Sequence, residues 1–432
     1  MGRIDLLIEE TLMPSAPTRV VRSVISQHAE EAVSLRHIRS GLLGAAQVTL
    51  HDLRRHDDRV AAHLDGLLLA GEHGYAACTA ALGTTGVGEV FSAAVIAIEN
   101  GNAAGLDSLF AVSQAVPQAQ AGLLSAFGWV SSQYLQVTVK NLLASECAWR
   151  RQVGIATCAM HQVDPRAAVD RSVADSDVLL RARGLRVAGQ CGRQDLRAAC
   201  MAGQMDDDLT CRYWAARSAA LLGERAGSIE VLKAIALRAG PNQRAALCCV
   251  LKITEPGEAS ALLRLLAQDP STIRLLVRGT GVAAYPDYLP WLIGQMEDLK
   301  LARLAGEAFS FITGLDINYL HLDCEAPENL DSGPNDNPDD DNVAMDEDDG
   351  LPWPDPAKLQ SWWNANQQRF QPGVRYFMGE RVTVEHCKKV LRDGFQRQRI
   401  AAAEYLCLLQ PGTPLFPTSA PAWRQQRWLK RL

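Results

Sequence analysis

Apolar residues recur at helical spacing along most of this chain. Within residues 48–71, VTLHDLRRHDDRVAAHLDGLLLAG, the positions Val60, Leu64, Leu67 and Leu68 fall on one helix face. Gly71 follows as a stop signal. A polar helix is expected before it, from Arg22 to Arg39, after a Pro-rich break at MPSAPT. The pattern then repeats. Six segments open on an arginine followed by small and apolar residues: Arg150, Arg181, Arg212, Arg244, Arg274 and Arg303. Their intervals are 31, 31, 32, 30 and 29 residues. Weaker copies at 59–71, 89–99 and 119–130 extend the series upstream. A fixed period in this range marks stacked supersecondary units. Two short helices and two turns use about 30 residues, and such a hairpin buries its apolar face only against a neighbour.

The pattern therefore predicts an all-α fold: a HEAT-like right-handed α-solenoid of about nine helical hairpins with a C-terminal helical module. The expected divisions are an N-terminal helical segment over 1–48, the repeat solenoid over 49–322, an acidic Pro-rich linker over 323–356 and a basic Trp-rich module over 357–432. In the last, helices are expected over 357–370, 383–393 and 396–409, with a short basic helix at the end. The 396–409 helix resembles one more repeat and is expected to cap the array. Small residues such as Gly184, Ala215, Ala216 and Gly306 allow close helix approach. Acidic residues precede the repeated arginines, giving the pairs Asp177–Arg181, Asp208–Arg212, Asp269–Arg274 and Asp298–Arg303. These are expected to form a structural ladder between repeats.

Composition adds little beyond this. Aromatics are 6% of the chain, which suits packed helices better than a β-sandwich. Charge is more telling. Residues 323–350 hold 12 Asp/Glu and no Lys/Arg, whereas 351–432 hold 13 Lys/Arg against 5 Asp/Glu. With a total of −6, the first 322 residues carry −6 + 12 − 8 = −2. That body lacks the basic excess of a nucleic-acid binder. The 11 cysteines include no CxxC and are scattered through apolar helices, which points to a reducing, cytoplasmic setting. The opening residues MGRIDLLIEETLM do not read as a signal peptide, and no apolar run is long enough for membrane insertion.

No catalytic constellation emerges, and no metal or cofactor is expected. GTTGVG at 83–88 lacks the Lys-Ser/Thr of a phosphate loop and reads as an inter-helix turn. His51, His56 and His63 lack HExxH spacing and suit capping and surface roles. The Asp-rich run supplies Asp336, Asp339, Asp340, Asp341, Asp346 and Asp348 as candidate ligands for a hard cation, though not in EF-hand spacing. Trp353, Trp362, Trp363, Trp423 and Trp428 are candidate partner-binding residues, since Trp is enriched at binding hot spots.

Four stretches carry a family resemblance: HLDGLLLAG (63–71), GEAFSFITGLDI (306–317), GPNDNPDDDNVAMDEDDGLPWPDP (333–356) and PLFPTSAPAWRQQRWL (414–429). Through them the chain resembles a bacterial family of HEAT-like repeat proteins of the phycobilisome-lyase type, encoded in type VI secretion gene clusters. The resemblance implies a non-catalytic scaffold or adaptor whose partners are other proteins, among them sheath, baseplate or cap components of the secretion apparatus. Two alternatives stand beside it: a lyase-like enzyme of the same repeat type, and a DNA-binding HEAT-like base-excision protein.

Overall fold

The computed structural model describes residues 21–327 and 346–432. Asp336, Asp339, Asp340 and Asp341 lie outside the described residues. The protein is all-α, 70% helical, with one two-stranded ribbon among the described residues.

Helices α1 (Arg22–Leu42), α2 (Leu50–Leu69) and α3 (Glu72–Ala80) open the chain. Thr49 and Asp52 start α2 with a capping box. Eight inner helices then alternate with outer ones of equal or shorter length among the described residues. The first inner–outer pairs are α4 (Val87–Glu99) with α5 (Ala103–Ala115), α6 (Gln120–Trp129) with α7 (Gln136–Ala144), and α8 (Ala148–Met160) with α9 (Ala167–Ser172). Next come α10 (Val178–Gln190) with α11 (Arg197–Ala202) and α12 (Leu209–Leu221) with α13 (Ala226–Ala236). The array closes with α14 (Gln243–Ile253) and α15 (Pro256–Leu266), α16 (Ile273–Ala283) and α17 (Leu289–Gln295), and α18 (Ala302–Thr313).

Each of α4 through α18 in the even series packs on the next, forming one continuous inner row. Every Arg-led segment begins one of the last six of these helices. Close approach between neighbours requires small residues. A Cβ on Gly281 of α16 meets the Ala308 Cα of α18 at 2.8 Å, and one on Gly184 meets the Ser172 backbone carbon at 2.7 Å.

After the acidic segment come α19 (Pro356–Asn366), a ribbon of β1 (Tyr376–Phe377) and β2 (Glu380–Arg381), α20 (Val384–Asp393), α21 (Gln396–Leu409) and α22 (Ala422–Leu429). The 396–409 helix does not cap the array end. It lies across the inner row, packed on α12 and α20 and reaching α14 and α18 through side chains. The hydrophobic core is shared: Tyr213, Leu247 and Val250 of the array join Cys387, Leu391, Tyr405 and Phe416, and also Leu50 and Leu53 of α2. Expressed as burial, α21 hides ten of its fourteen residues, so it behaves as core rather than as an appended cap.

Polar contacts explain why this segment settles where it does. Helix C-termini leave unpaired carbonyls that attract cations. Arg424 of α22 donates to the carbonyls of Gly128, Trp129 and Val130 at the end of α6, at 2.6, 2.9 and 2.9 Å. Arg375 donates to Leu251 and Thr254 at the end of α14, at 2.8 and 2.7 Å, and to Ala283 at the end of α16, at 3.1 Å. Backbone amides finish the row: Leu415 donates to the Gln190 carbonyl and Met378 to the Phe311 carbonyl. At the far end, Asp57 on α2 accepts from Arg39 at 2.6 Å and from the Ala422 amide at 2.7 Å, wholly buried.

Candidate functional site

Arg181, Arg274 and Arg303 of the repeated arginines pair with carboxylates further along the chain, but with others than the sequence pairs suggest. Asp177 and Asp208 are spent on capping their own helices, accepting from the amides of Leu180 and Cys211, both at 2.8 Å. Asp269 caps a short 3-10 turn through Ser271, and Asp298 accepts from the Lys300 amide. These oxygens are taken up by amides two or three residues on in their own turns, so they are not available to the arginines four or five residues on. Arg181 reaches Asp206 at 2.6 Å; on α8 it is Arg151, next to the repeated Arg150, that reaches forward to Asp175 at 3.3 Å, while Arg150 itself pairs with Asp107 of α5 at 2.7 Å. Arg212 bonds only the Asp207 carbonyl among the described residues.

The receiving turns share one motif. Asp175 accepts from the amide of Asp177, and Asp206 from that of Asp208, both at 2.9 Å. The acidic segment reproduces it: Asp346 accepts from the Asp348 amide at 3.0 Å and from Arg303 at 2.6 Å. Asp348 takes Arg274 at 2.7 Å. Residues 346–348 thus supply the rungs that a further repeat would supply, and cap the array. Asp346 and Asp348 are therefore engaged by guanidinium groups, and no cluster of three or more metal-ligating side chains occurs among the described residues.

All five candidate tryptophans sit in intrachain packing. The Arg303 guanidinium lies 4.7 Å over Trp353, Trp362 meets Phe309 edge-on at 5.9 Å and Trp363 meets Phe370 at 5.7 Å. Trp423 meets Trp129 at 4.8 Å and Trp428 meets Phe416 at 6.1 Å. Of the histidines, His56 donates to the Leu35 carbonyl at 2.8 Å and His63 faces His28 at 3.1 Å, both joining α2 to α1.

Two surfaces stand out that sequence reasoning missed. The first is an exposed apolar edge where α10 and α12 begin. Leu179 is 64% exposed and Met205 85%, beside the half-exposed Val178 and Leu209. The Arg181–Asp206 pair and the Cys211 Sγ contact to the Val178 carbonyl, 3.4 Å, hold these residues along one rim.

The second is a half-open cavity of about 410 Å³ between α14, α16, α18 and α21. Its floor is a buried triad: Glu404 accepts from Arg217 at 2.8 Å and from Lys252. The two cations hold the Glu404 carboxyl down to about 2 against the opposing effect of burial, and the carboxylate in turn raises both cations. Arg397 binds Glu307 through both oxygens at 2.8 and 2.9 Å. Arg278 stands 3.8 Å from Glu307 and makes no hydrogen bond among the described residues. Burial, with Arg244 next, lowers its pKa. Cys248 lines the same wall, its thiol pushed up by burial. Apolar area comes from Val282, Phe311 and Ile400.

A signal for this cavity was present in the repeat. Four residues after each repeated arginine, the early copies carry Gly154, Leu185 and Ala216, whereas the last three carry Cys248, Arg278 and Glu307. Position plus four lies one turn along the same helix face.

Compared with family models, curated proteins and solved structures, the chain matches none. No helix among the described residues is long and apolar enough to cross a membrane.

Proposed function

We propose that this protein is a non-catalytic protein-binding scaffold, an accessory assembly component of a type VI secretion system that contacts sheath, baseplate or cap components in the cytoplasm. The system is supplied by the sequence resemblance. The observation that supports protein binding is the apolar rim of Val178, Leu179, Met205 and Leu209. Large exposed apolar side chains gathered at one edge are costly to leave in water and mark association surfaces. Methionine adds an adaptable contact. Much of the inner row is covered by the chain's own C-terminal segment, whereas the rim stays exposed among the described residues.

The test is purification of the tagged protein from its native host, with identification of what accompanies it. Secretion-apparatus proteins are the expected partners, lost in the double variant Leu179→Glu, Met205→Glu while its thermal unfolding stays unchanged. Recovery of no reproducible partner, or of the same partners with the double variant, overturns the reading.

A further inference from the structure

We infer that the cavity between α14, α16, α18 and α21 is a binding site for a small organic dianion, a phosphate monoester carrying an apolar body. The inference is independent of the scaffold reading and rests on three features of the cavity.

The first is charge. Arg244, Lys252, Arg278 and Arg397 line it against Glu307 and Glu404, and Arg217 bonds Glu404 from outside the lining, so the excess is at least two cations. A phosphate monoester carries about −1.5 to −2 at neutral pH, which matches that excess where a monocarboxylate falls short. The second is unused donor capacity. Glu404 is filled by Arg217 and Lys252, and Glu307 is taken bidentately by Arg397. The Arg278 side chain, only 13% exposed, is left with a 3.8 Å approach to one Glu307 oxygen. Arg244 on the rim forms no ion pair among the described residues. A guanidinium offers five donors in a planar fork suited to phosphate oxygens. Two such forks, from α14 and α16, converge on one space. The third is shape. About 410 Å³ lies in the range of small-ligand pockets. Val282, Phe311 and Ile400 give the wall an apolar side for the body of the ligand.

The arrangement also predicts how Glu307 acts. It competes with the ligand for Arg278 and Arg397, so it weakens binding while keeping the empty cavity's cations partly paired.

Titration calorimetry on the full chain at low salt tests the site with phenyl phosphate, inorganic phosphate and phthalate as probes. Phenyl phosphate is expected to bind stoichiometrically, at least tenfold more tightly than inorganic phosphate. Arg278→Met and, separately, Arg244→Met are expected to weaken it about tenfold, in keeping with the loss of one charge-assisted fork. Glu307→Gln is expected to tighten it. Arg244 is exposed, so its variant keeps the test valid if Arg278→Met unfolds. No heat with phenyl phosphate, equal affinity for inorganic phosphate, tighter binding of phthalate, or indifference to both arginine variants overturns the proposal.

Discussion

Among the described residues Glu404 is the one carboxylate holding Arg217 and Lys252, whose side chains are 11% and 6% exposed. Replacing it by Gln keeps the volume and leaves two buried cations facing each other. A buried ion pair broken on one side costs roughly 3 kcal/mol, so Glu404→Gln is expected to lower the midpoint of thermal unfolding by several degrees. The acid response of the parent protein should show two limbs. His161 donates from Nε2 to the Phe127 carbonyl at 2.8 Å. Burial and the neighbouring Arg424 hold its pKa down to about 4, against an ordinary 6.5. A depressed histidine stabilises the fold fully above its ordinary pKa and loses that contribution as pH falls toward the folded value. His161 therefore destabilises the protein progressively from pH 6.5 to 4. Glu404, depressed from 4.5 to about 2, also contributes fully above its ordinary value and is lost between pH 4.5 and 2. Unfolding midpoints measured across pH should show His161→Gln flattening the upper limb only, and Glu404→Gln the lower limb only. If His161→Gln leaves the slope between pH 6.5 and 4 unchanged, the histidine is not the titrating group.

At the scale of elements, the ladder turns on a division of labour between neighbouring aspartates. In Asp206-Asp207-Asp208, the third caps α12 and the first receives Arg181 from the previous repeat. Both side chains of the Arg181–Asp206 pair are mostly buried and meet through two hydrogen bonds at 2.6 and 3.1 Å. A double-mutant cycle with Arg181→Met and Asp206→Asn is expected to give a coupling near 1 kcal/mol. The same cycle on Arg181 and Asp177, the pair suggested by sequence, is expected to give none. The arginine periodicity made the last six inner helices legible, because each carries an arginine in its first turn with an apolar face behind it. Outer helices α9 and α11, at six residues each, are too short to show a period. The choice among adjacent aspartates was illegible, since it depends on which backbone amide each oxygen faces. So was the course of the C-terminal segment: Arg375 and Arg424 dock onto main-chain carbonyls, and carbonyls leave no mark in a sequence. The cavity was half legible, in the polar residues one turn after the last three repeated arginines.

At the scale of the whole molecule, the C-terminal segment makes one body of an array that would otherwise hold together only between neighbours. Stacked repeats gain stability from adjacent interfaces and can open locally. Here Asp57 on α2 holds the Ala422 amide across 365 residues of sequence, while α21 grips α12, α14 and α18. The first and last parts of the array are thus coupled through the strap between them, and the buried Asp57 is its anchor at one end. Asp57→Asn keeps the shape but exchanges one acceptor oxygen for an amide that has donors facing Arg39 and the Ala422 amide. An unsatisfied buried pair of this kind costs about 1–3 kcal/mol, paid mostly by the tail, because α1 and α2 remain packed on each other. The expected outcome is local: faster hydrogen exchange and proteolytic cleavage in 411–432, with helicity of the array retained. Removal of residues 411–432 altogether should go further and enlarge the radius of gyration in solution scattering, as the array loses its internal brace. A truncated chain with unchanged dimensions and unchanged exchange in α6 and α10 would show that the array holds together unaided.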